Sequence, residues 1–303
     1  MSTEAIDPRY VDIDQWPAAQ AVEAMFEGQL AAIAAIGSQT GAIARAAEAA
    51  AVRLGGSTPD GERPGRLVYV GAGTSGRVAV QDGVELYPTY NWSQDRLLFL
   101  MAGGLAALTE AAEGAEDDAG AARTQIAEAG IGPRDVVIGV AASGRTPFTL
   151  AALTAARAAG ALTIGITNND GTAIAAASEH GLVALTGTEI VAGSTRMKAG
   201  TAQKAMLNML STAIMLRLGL VYRGLMVNMR VSNEKLRLRG QAMVRDIAGV
   251  DLETAARALE AAGQDIRQAV LVALGVGTDE AHRLLEAHGH HLPDAMRAAR
   301  KGE

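Results

Sequence analysis

The stretch VYVGAGTSGRVAV, residues 68–80, carries a GxGxxG spacing at Gly71, Gly73 and Gly76. A short β-branched run enters the glycines and a valine- and alanine-bearing segment leaves them, so the stretch reads as strand, tight turn and helix. A dinucleotide fold places an acidic residue at the end of the second strand, about 20 residues further on, to hold a ribose. Here the second strand, LLFLMA (97–102), ends in Gly103 and Gly104; Asp95 stands before it, and the next acidic residue is Glu110. No GKS or GKT follows the glycines, which removes the triphosphate loop as well. What remains is a helix start, with Gly73, Thr74 and Ser75 offering free N–H groups and hydroxyls to an anion. Taken alone, Thr74 and Ser75 would be ordinary helix caps.

The same arrangement recurs. AASGRTP (141–147) brings Ser143, Gly144 and Thr146 before a proline suited to an early helical position, and GSTRMKAGTAQK (193–204) brings Ser194 and Thr195 before a helix carrying Lys198. Between these turns, apolar β-rich runs at 67–70, 97–102, 136–141, 162–167 and 182–186 alternate with alanine-rich helical segments. That alternation predicts an α/β three-layer sandwich with a mostly parallel sheet. In such a sheet the loops after the strands gather at one edge, so three hydroxyl-rich helix starts converge on a monophosphate pocket.

Ahead of the first strand, residues 17–54 predict two packed helices with Val22, Met25, Leu30 and Ile33 among the larger apolar positions, followed by a turn-forming loop at 55–65. After Thr195 the pattern is helical, over 197–218 and 224–243 and then in a tail. LEAAGQDIRQAV from Leu259 is echoed 26 residues later by LEAHGHHLPDAM from Leu285, which predicts a small duplicated helical module. The domain reading is a sandwich with N-terminal helices over 1–245 and the helical module over 246–303.

Composition limits the chemistry. The chain has 303 residues, 49% of them hydrophobic, and a formal net charge of −6 from 33 acidic and 27 basic residues, with no basic run to grip nucleic acid. Cysteine is absent, which removes disulfides and thiolate nucleophiles. The acidic, polar start, MSTEAIDPRYVDIDQW, does not read as a secretory signal, and the apolar segment 205–220 is interrupted by Asn208 and Arg217; the expectation is a cytoplasmic protein without a membrane span. His282, His288, His290 and His291 read as solvated or capping residues, not as a metal set, and the methionines at 197, 206, 209 and 215 as packing. Arg77 and Arg145 follow glycines in the two turns, where they can meet substrate or pair with nearby acids.

VGAGTSGR, EGAEDD (113–118), GVAASGRTP, AGSTRMKAGTAQK, LNMLSTAIMLRLG and LMVN…SNEKL together resemble the N-acetylmuramic acid 6-phosphate etherase family of the sugar isomerase domain superfamily, in order and over nearly the whole chain. The resemblance implies a carbon–oxygen lyase that cleaves the D-lactyl ether of a phosphorylated amino sugar, yielding N-acetylglucosamine 6-phosphate and D-lactate in cell-wall recycling. It implies no metal or organic cofactor, and a homodimer. By the same resemblance Glu85, in DGVELYPT, matches the general acid, and Glu116, in EGAEDD, the base. A sugar-phosphate-sensing regulator and an aldose–ketose isomerase share the superfamily and stay open as alternatives. One straight helix from Ser75 would carry Glu85 about 15 Å away. Either that helix stops early, or a second subunit supplies Glu85. Three departures stand beside the resemblance: DGVELYPT (82–89) for the usual DASECPPT, GITNNDGT (165–172) for GISCNPGS, and Asn228 at a common aspartate position.

Overall fold

In the computed structural model, residues 2–55, 63–110 and 112–301 are described; most of the loop expected at 55–65 lies outside them. From the N-terminus the elements are α1 (Ala18–Ala34), α2 (Thr40–Gly55), β1 (Leu67–Gly71), α3 (Gly73–Val84), α4 (Leu86–Tyr90), β2 (Leu97–Met101), α5 (Ala119–Glu128), β3 (Val136–Val140), α6 (Pro147–Ala158), β4 (Leu162–Thr167), α7 (Ala173–Ala177), β5 (His180–Val183), α8 (Lys198–Arg217), α9 (Glu234–Ala248), α10 (Leu252–Ala261), α11 (Ile266–Ala273), α12 (Thr278–Ala287) and α13 (Leu292–Lys301). Short 3-10 turns join several of them, including Ser2–Glu4, Leu105–Leu108 and Ala115–Asp117. The chain divides into two compact units, Met1–Gly83 with Gln94–Ile214, and Val84–Ser93 with Met215–Glu303.

The first unit holds a five-stranded, all-parallel sheet of order β2-β1-β3-β4-β5. Its central strands are buried on both faces, as parallel strands between helical layers must be. Val68, Val70 and Val137 pack with Ala122 and Ile126 of α5, Phe148 and Leu153 of α6 and Ile174 of α7. On the opposite face, the Tyr69 hydroxyl donates to Asp82 of α3 (2.8 Å), whose carboxylate also accepts from Asn208 (2.6 Å) and Ser211 (3.1 Å) of α8. Burial pushes the Asp82 carboxyl above the usual range, and these three donors hold part of it back. The expected three-layer sandwich is therefore formed, and one buried carboxylate locks α3 and α8 onto β1.

One expectation shifts, and one helix face stands out. The edge strand begins at His180, earlier than the apolar run LVALT, because Ile164 to Thr167 of β4 pair with His180 to Val183 and the ladder ends at the Ala184 N–H. In α1 the larger residues face outward: Val22, Phe26, Leu30 and Ile33 are 62, 61, 55 and 48% exposed, while Ala32 is buried.

The second unit is helical, apart from one isolated antiparallel bridge between Tyr222 and Leu225. The 26-residue echo is a structural repeat: α10 and α11 recur as α12 and α13. Gln264 and His290 take the same left-handed backbone (φ 72° and 59°) in the two inter-helix turns. Matched positions are buried in both copies, Ala255 with Ala281, Leu259 with Leu285, Ile266 with Leu292 and Ala269 with Ala295. In this unit, α4 is held by the Arg230 N–H on the Pro88 carbonyl (3.4 Å), by the Arg230 guanidinium over the Tyr87 ring (5.1 Å), and by the Asn228 amide donating to the Tyr90 carbonyl. Among the described residues, no helix is long and apolar enough to cross a membrane.

Candidate active site

Two of the three hydroxyl-rich turns meet as the sequence suggests. In the first, a side chain on Gly71 would lie 2.7 Å from the Cα of Gly76, and one on Gly76 2.4 Å from the Met101 sulfur, so these glycines serve close packing of α3 on the sheet. Gly73 takes a left-handed φ of 53° and turns the chain into α3. The N–H groups of Gly73, Thr74 and Ser75 have no backbone acceptor, and the Thr74 and Ser75 hydroxyls have no partner among the described residues. In the second turn, Gly144 has φ 65°, the Arg145 N–H donates to Ser143 Oγ (3.2 Å), and Thr146 stands at the N-cap of α6 without using its side chain as a cap. The capping alternative therefore does not account for the Thr74, Ser75 and Thr146 hydroxyls, which remain available to a ligand.

Both turns open on one cavity of about 500 Å³. Its lining includes Gly73, Thr74, Ser75, Ser143, Thr146 and Thr195, with Arg145 as its cation and Glu4, Glu116 and Asp117 as its carboxylates. A neighbouring cavity of about 360 Å³ shares Ala72, Gly73 and Glu116 with it and is lined as well by Arg77 and Glu113. The 3-10 turn Ala115–Asp117 carries Glu116, and the next residue, Asp118, caps α5 by accepting from the Ala121 N–H (2.8 Å). Arg77 does not face an anion: it donates to the carbonyls of Ala107, Leu108 and Glu110 and braces the wall of the smaller cavity.

The third turn is built differently. α8 starts at Lys198, and the N–H groups of Lys198 and Ala199 are taken by the buried carboxylate of Glu189 (3.0 and 2.9 Å). That helix start already has its anion. Thr195 reaches the cavity, whereas Ser194 and Lys198 do not line it, and the aliphatic stem of Lys198 runs beside Gly28 of α1. Gly144 shapes the second turn without lining the cavity. Glu85 belongs to the second unit, between α3 and α4, and is exposed in the single chain, as is Val84 beside it. The helix from Gly73 does not stop early but continues to Val84.

Sequence reasoning missed Glu189, Asp117, Glu4 and Asn169. Asn169, in the divergent GITNNDGT segment, is buried and donates to the Ala142 carbonyl (2.9 Å) and to Thr3 Oγ1 (2.9 Å). The contacts of Asn169 span most of the chain, and those of Glu189 join segments that no local pattern links. Of the tail histidines, His282 pairs with Glu286 within α12 and His291, just before α13, with Asp294.

Comparison with known proteins agrees with this geometry. Residues 51–157 match the glucokinase regulatory protein N-terminal SIS domain, and residues 117–213 the SIS domain. An N-acetylmuramic acid 6-phosphate etherase of Deinococcus radiodurans is 45% identical over 97% of this chain and 94% of its own length. The chain belongs to the N-acetylmuramic acid 6-phosphate etherase family. Another etherase of that name, from Streptomyces avermitilis, is 44% identical over 99% of this chain and 94% of its own. Among solved structures, a protein described as a phosphosugar isomerase involved in capsule formation, from Bacteroides fragilis, aligns over 69% of this chain and 95% of its own with a TM-score of 0.50 and 18% identity, which speaks to the fold alone. This etherase-family chain thus has a sugar isomerase sandwich with a glycine–hydroxyl cavity at the carboxyl ends of its strands.

Proposed function

We propose that the protein is an N-acetylmuramic acid 6-phosphate etherase that releases D-lactate and N-acetylglucosamine 6-phosphate, acting in the cytoplasm on a phosphorylated amino sugar. The observation that carries the reading is the position of Glu116 on the rim of a cavity whose walls are two uncapped helix starts. The phosphate takes the N–H groups and hydroxyls of the α3 and α6 turns, because helix N-termini favour negative charge. In the open-chain sugar, the ether carbon C3 is β to the C1 aldehyde. Glu116 removes the C2 proton; the electron pair forms the C2–C3 double bond, and the C3–O bond breaks. The lactate oxygen takes a proton from the general acid, Glu85 in this reading. Water then adds at C3 and a proton returns to C2, so no redox partner enters.

A general acid working near neutral pH needs burial or a nearby negative charge, and the Glu85 side chain is exposed in a single chain. We infer a homodimer in which Glu85 of one subunit serves the cavity of the other. The outward stripe of Val22, Phe26, Leu30 and Ile33 on α1 supports self-association, since four apolar residues on one exposed helix face are costly in water. The test is D-lactate release from N-acetylmuramic acid 6-phosphate, followed by mixing Glu85→Gln and Glu116→Gln subunits. Regained activity in the mixture is expected for a shared site. Inactive mixtures refute sharing, and tight sugar-phosphate binding by the wild type without lactate release refutes the etherase reading in favour of a sensor.

A further inference from the structure

We propose that Glu4, presented by the N-terminal turn Ser2–Glu4, is a specificity-determining residue that accepts hydrogen bonds from the sugar end of the substrate. The proposal rests on the reading of the cavity as a sugar-phosphate site. The turn is anchored: Thr3 is 0% exposed. Its hydroxyl accepts from the Asn169 amide (2.9 Å), its N–H donates to Asn169 Oδ1 (3.4 Å), and its carbonyl accepts from the Gly193 N–H (3.2 Å). The Ser2 hydroxyl donates to the same Asn169 oxygen (3.0 Å). A few residues on, the Thr188 hydroxyl donates to Asp7 (2.8 Å) and ties the segment down a second time.

These bonds join three parts of the site. Asn169 also holds the carbonyl of Ala142, the residue before Ser143 in the second turn, and Gly193 opens the third turn, two residues before Thr195. Thr3 is the bridge between them, and the next residue, Glu4, lines the cavity. Its carboxylate would come within 3.1 Å of a side-chain carbon on Gly193, so glycine at that position leaves room for it. Among the described residues Glu4 has no ion-pair partner; its one side-chain hydrogen bond comes from the neighbouring Thr3 hydroxyl at 3.5 Å.

An ionised carboxylate is an acceptor only. It repels a phosphate dianion, so the groups it can recognise are the hydroxyl and acetamido N–H donors of the sugar, through charge-assisted bonds. Glu4 thereby distinguishes a sugar phosphate from phosphate itself.

The experiment is a calorimetric titration of wild type, Glu4→Gln and Thr3→Val with N-acetylglucosamine 6-phosphate and, separately, with inorganic phosphate. For Glu4→Gln the sugar phosphate is expected to bind roughly ten-fold or more weakly, the effect of losing a hydrogen bond to a charged group, while inorganic phosphate binds equally or more tightly. Thr3→Val keeps the carboxylate but loses the Asn169 bond, and is expected to weaken sugar-phosphate binding in the same direction. Sugar-phosphate affinity within two-fold of wild type for Glu4→Gln, or equal weakening for both probes, overturns the proposal. Failure of the wild type to bind either probe sinks the cavity reading instead, a distinct result.

Discussion

Substituting Gly144 by alanine tests whether the second turn depends on its backbone. Gly144 has φ 65°, a conformation that costs an L-residue about 1–2 kcal/mol. An added Cβ would also lie 2.4 Å from both Cβ and Cγ2 of Thr172 and 2.6 Å from its hydroxyl oxygen. Thr172 cannot swing aside freely, because it is buried and its Oγ1 caps α7 by accepting from the Ala175 N–H. Overpacking of this kind costs about 1–3 kcal/mol. The two contributions act on the same residue, so Gly144→Ala is expected to destabilise the fold by about 2–5 kcal/mol, read from denaturant midpoints. Ser143 and Thr146 flank the position, so phosphate affinity should fall with it in calorimetry. Thr172→Gly loses a cap and a buried side chain of its own, so it is the reference for the double variant: in that background Gly144→Ala keeps only the backbone strain and should cost about 1–2 kcal/mol. A Gly144→Ala protein within 0.5 kcal/mol of wild type, or no cost of Gly144→Ala in the Thr172→Gly background, refutes the reasoning.

Two further outcomes follow from buried carboxylates. Asp135 is fully buried, yet hydrogen bonds from Arg63, Arg66 and the Gly132 N–H outweigh the effect of burial and hold its carboxyl well below the usual range. Its stabilising contribution is therefore complete above the ordinary aspartate value of about 3.9 and is lost as pH falls below it. Asp135→Ala should cost about 3–5 kcal/mol at pH 7, and its urea midpoint should vary less between pH 5 and pH 2 than that of wild type. Glu189→Ala frees two N–H groups at the start of α8 and should cost about 1–2 kcal/mol in denaturant unfolding. Because Thr195 lies just before that helix, phosphate affinity should drop as well.

How much of this was legible follows the distance over which each feature is decided. Strands β1, β3 and β4 are continuous apolar runs, as doubly covered strands must be, and the sequence announces them locally. The turns before α3 and α6 were equally plain, because glycine and hydroxyl residues sit side by side in the chain. The repeat in the tail was visible for the same reason. By contrast, β5 starts with His180 and Gly181, which carry no apolar signal and become a strand by pairing with Ile164 and Gly165. Which face of α1 turns outward was not legible, because its alanines and its larger residues are both apolar and mark two faces alike. Asn169 and Thr3 are joined across 166 residues, and neither has a local pattern that points to the other.

The side-chain charge around the cavity bears on how the proposed function would hold its phosphate. Among the described lining residues, three carboxylates, Glu4, Glu116 and Asp117, stand against one arginine, Arg145, which is the reverse of a cationic phosphate clamp. Lysines and arginines packed around the anion would also pair with Glu116 and weaken it as a base, since a nearby cation favours the charged carboxylate over its protonated form. Under the proposed function, backbone N–H groups and hydroxyls would hold the phosphate without that effect: their attraction is aimed along the helix axes and fades within the first turn. The carboxylates would then be left for proton transfer and for the donors of the sugar. On that proposal the glycine turns and the acidic lining form one arrangement, in which dipoles would grip the anion so that the chemistry could be done by charges.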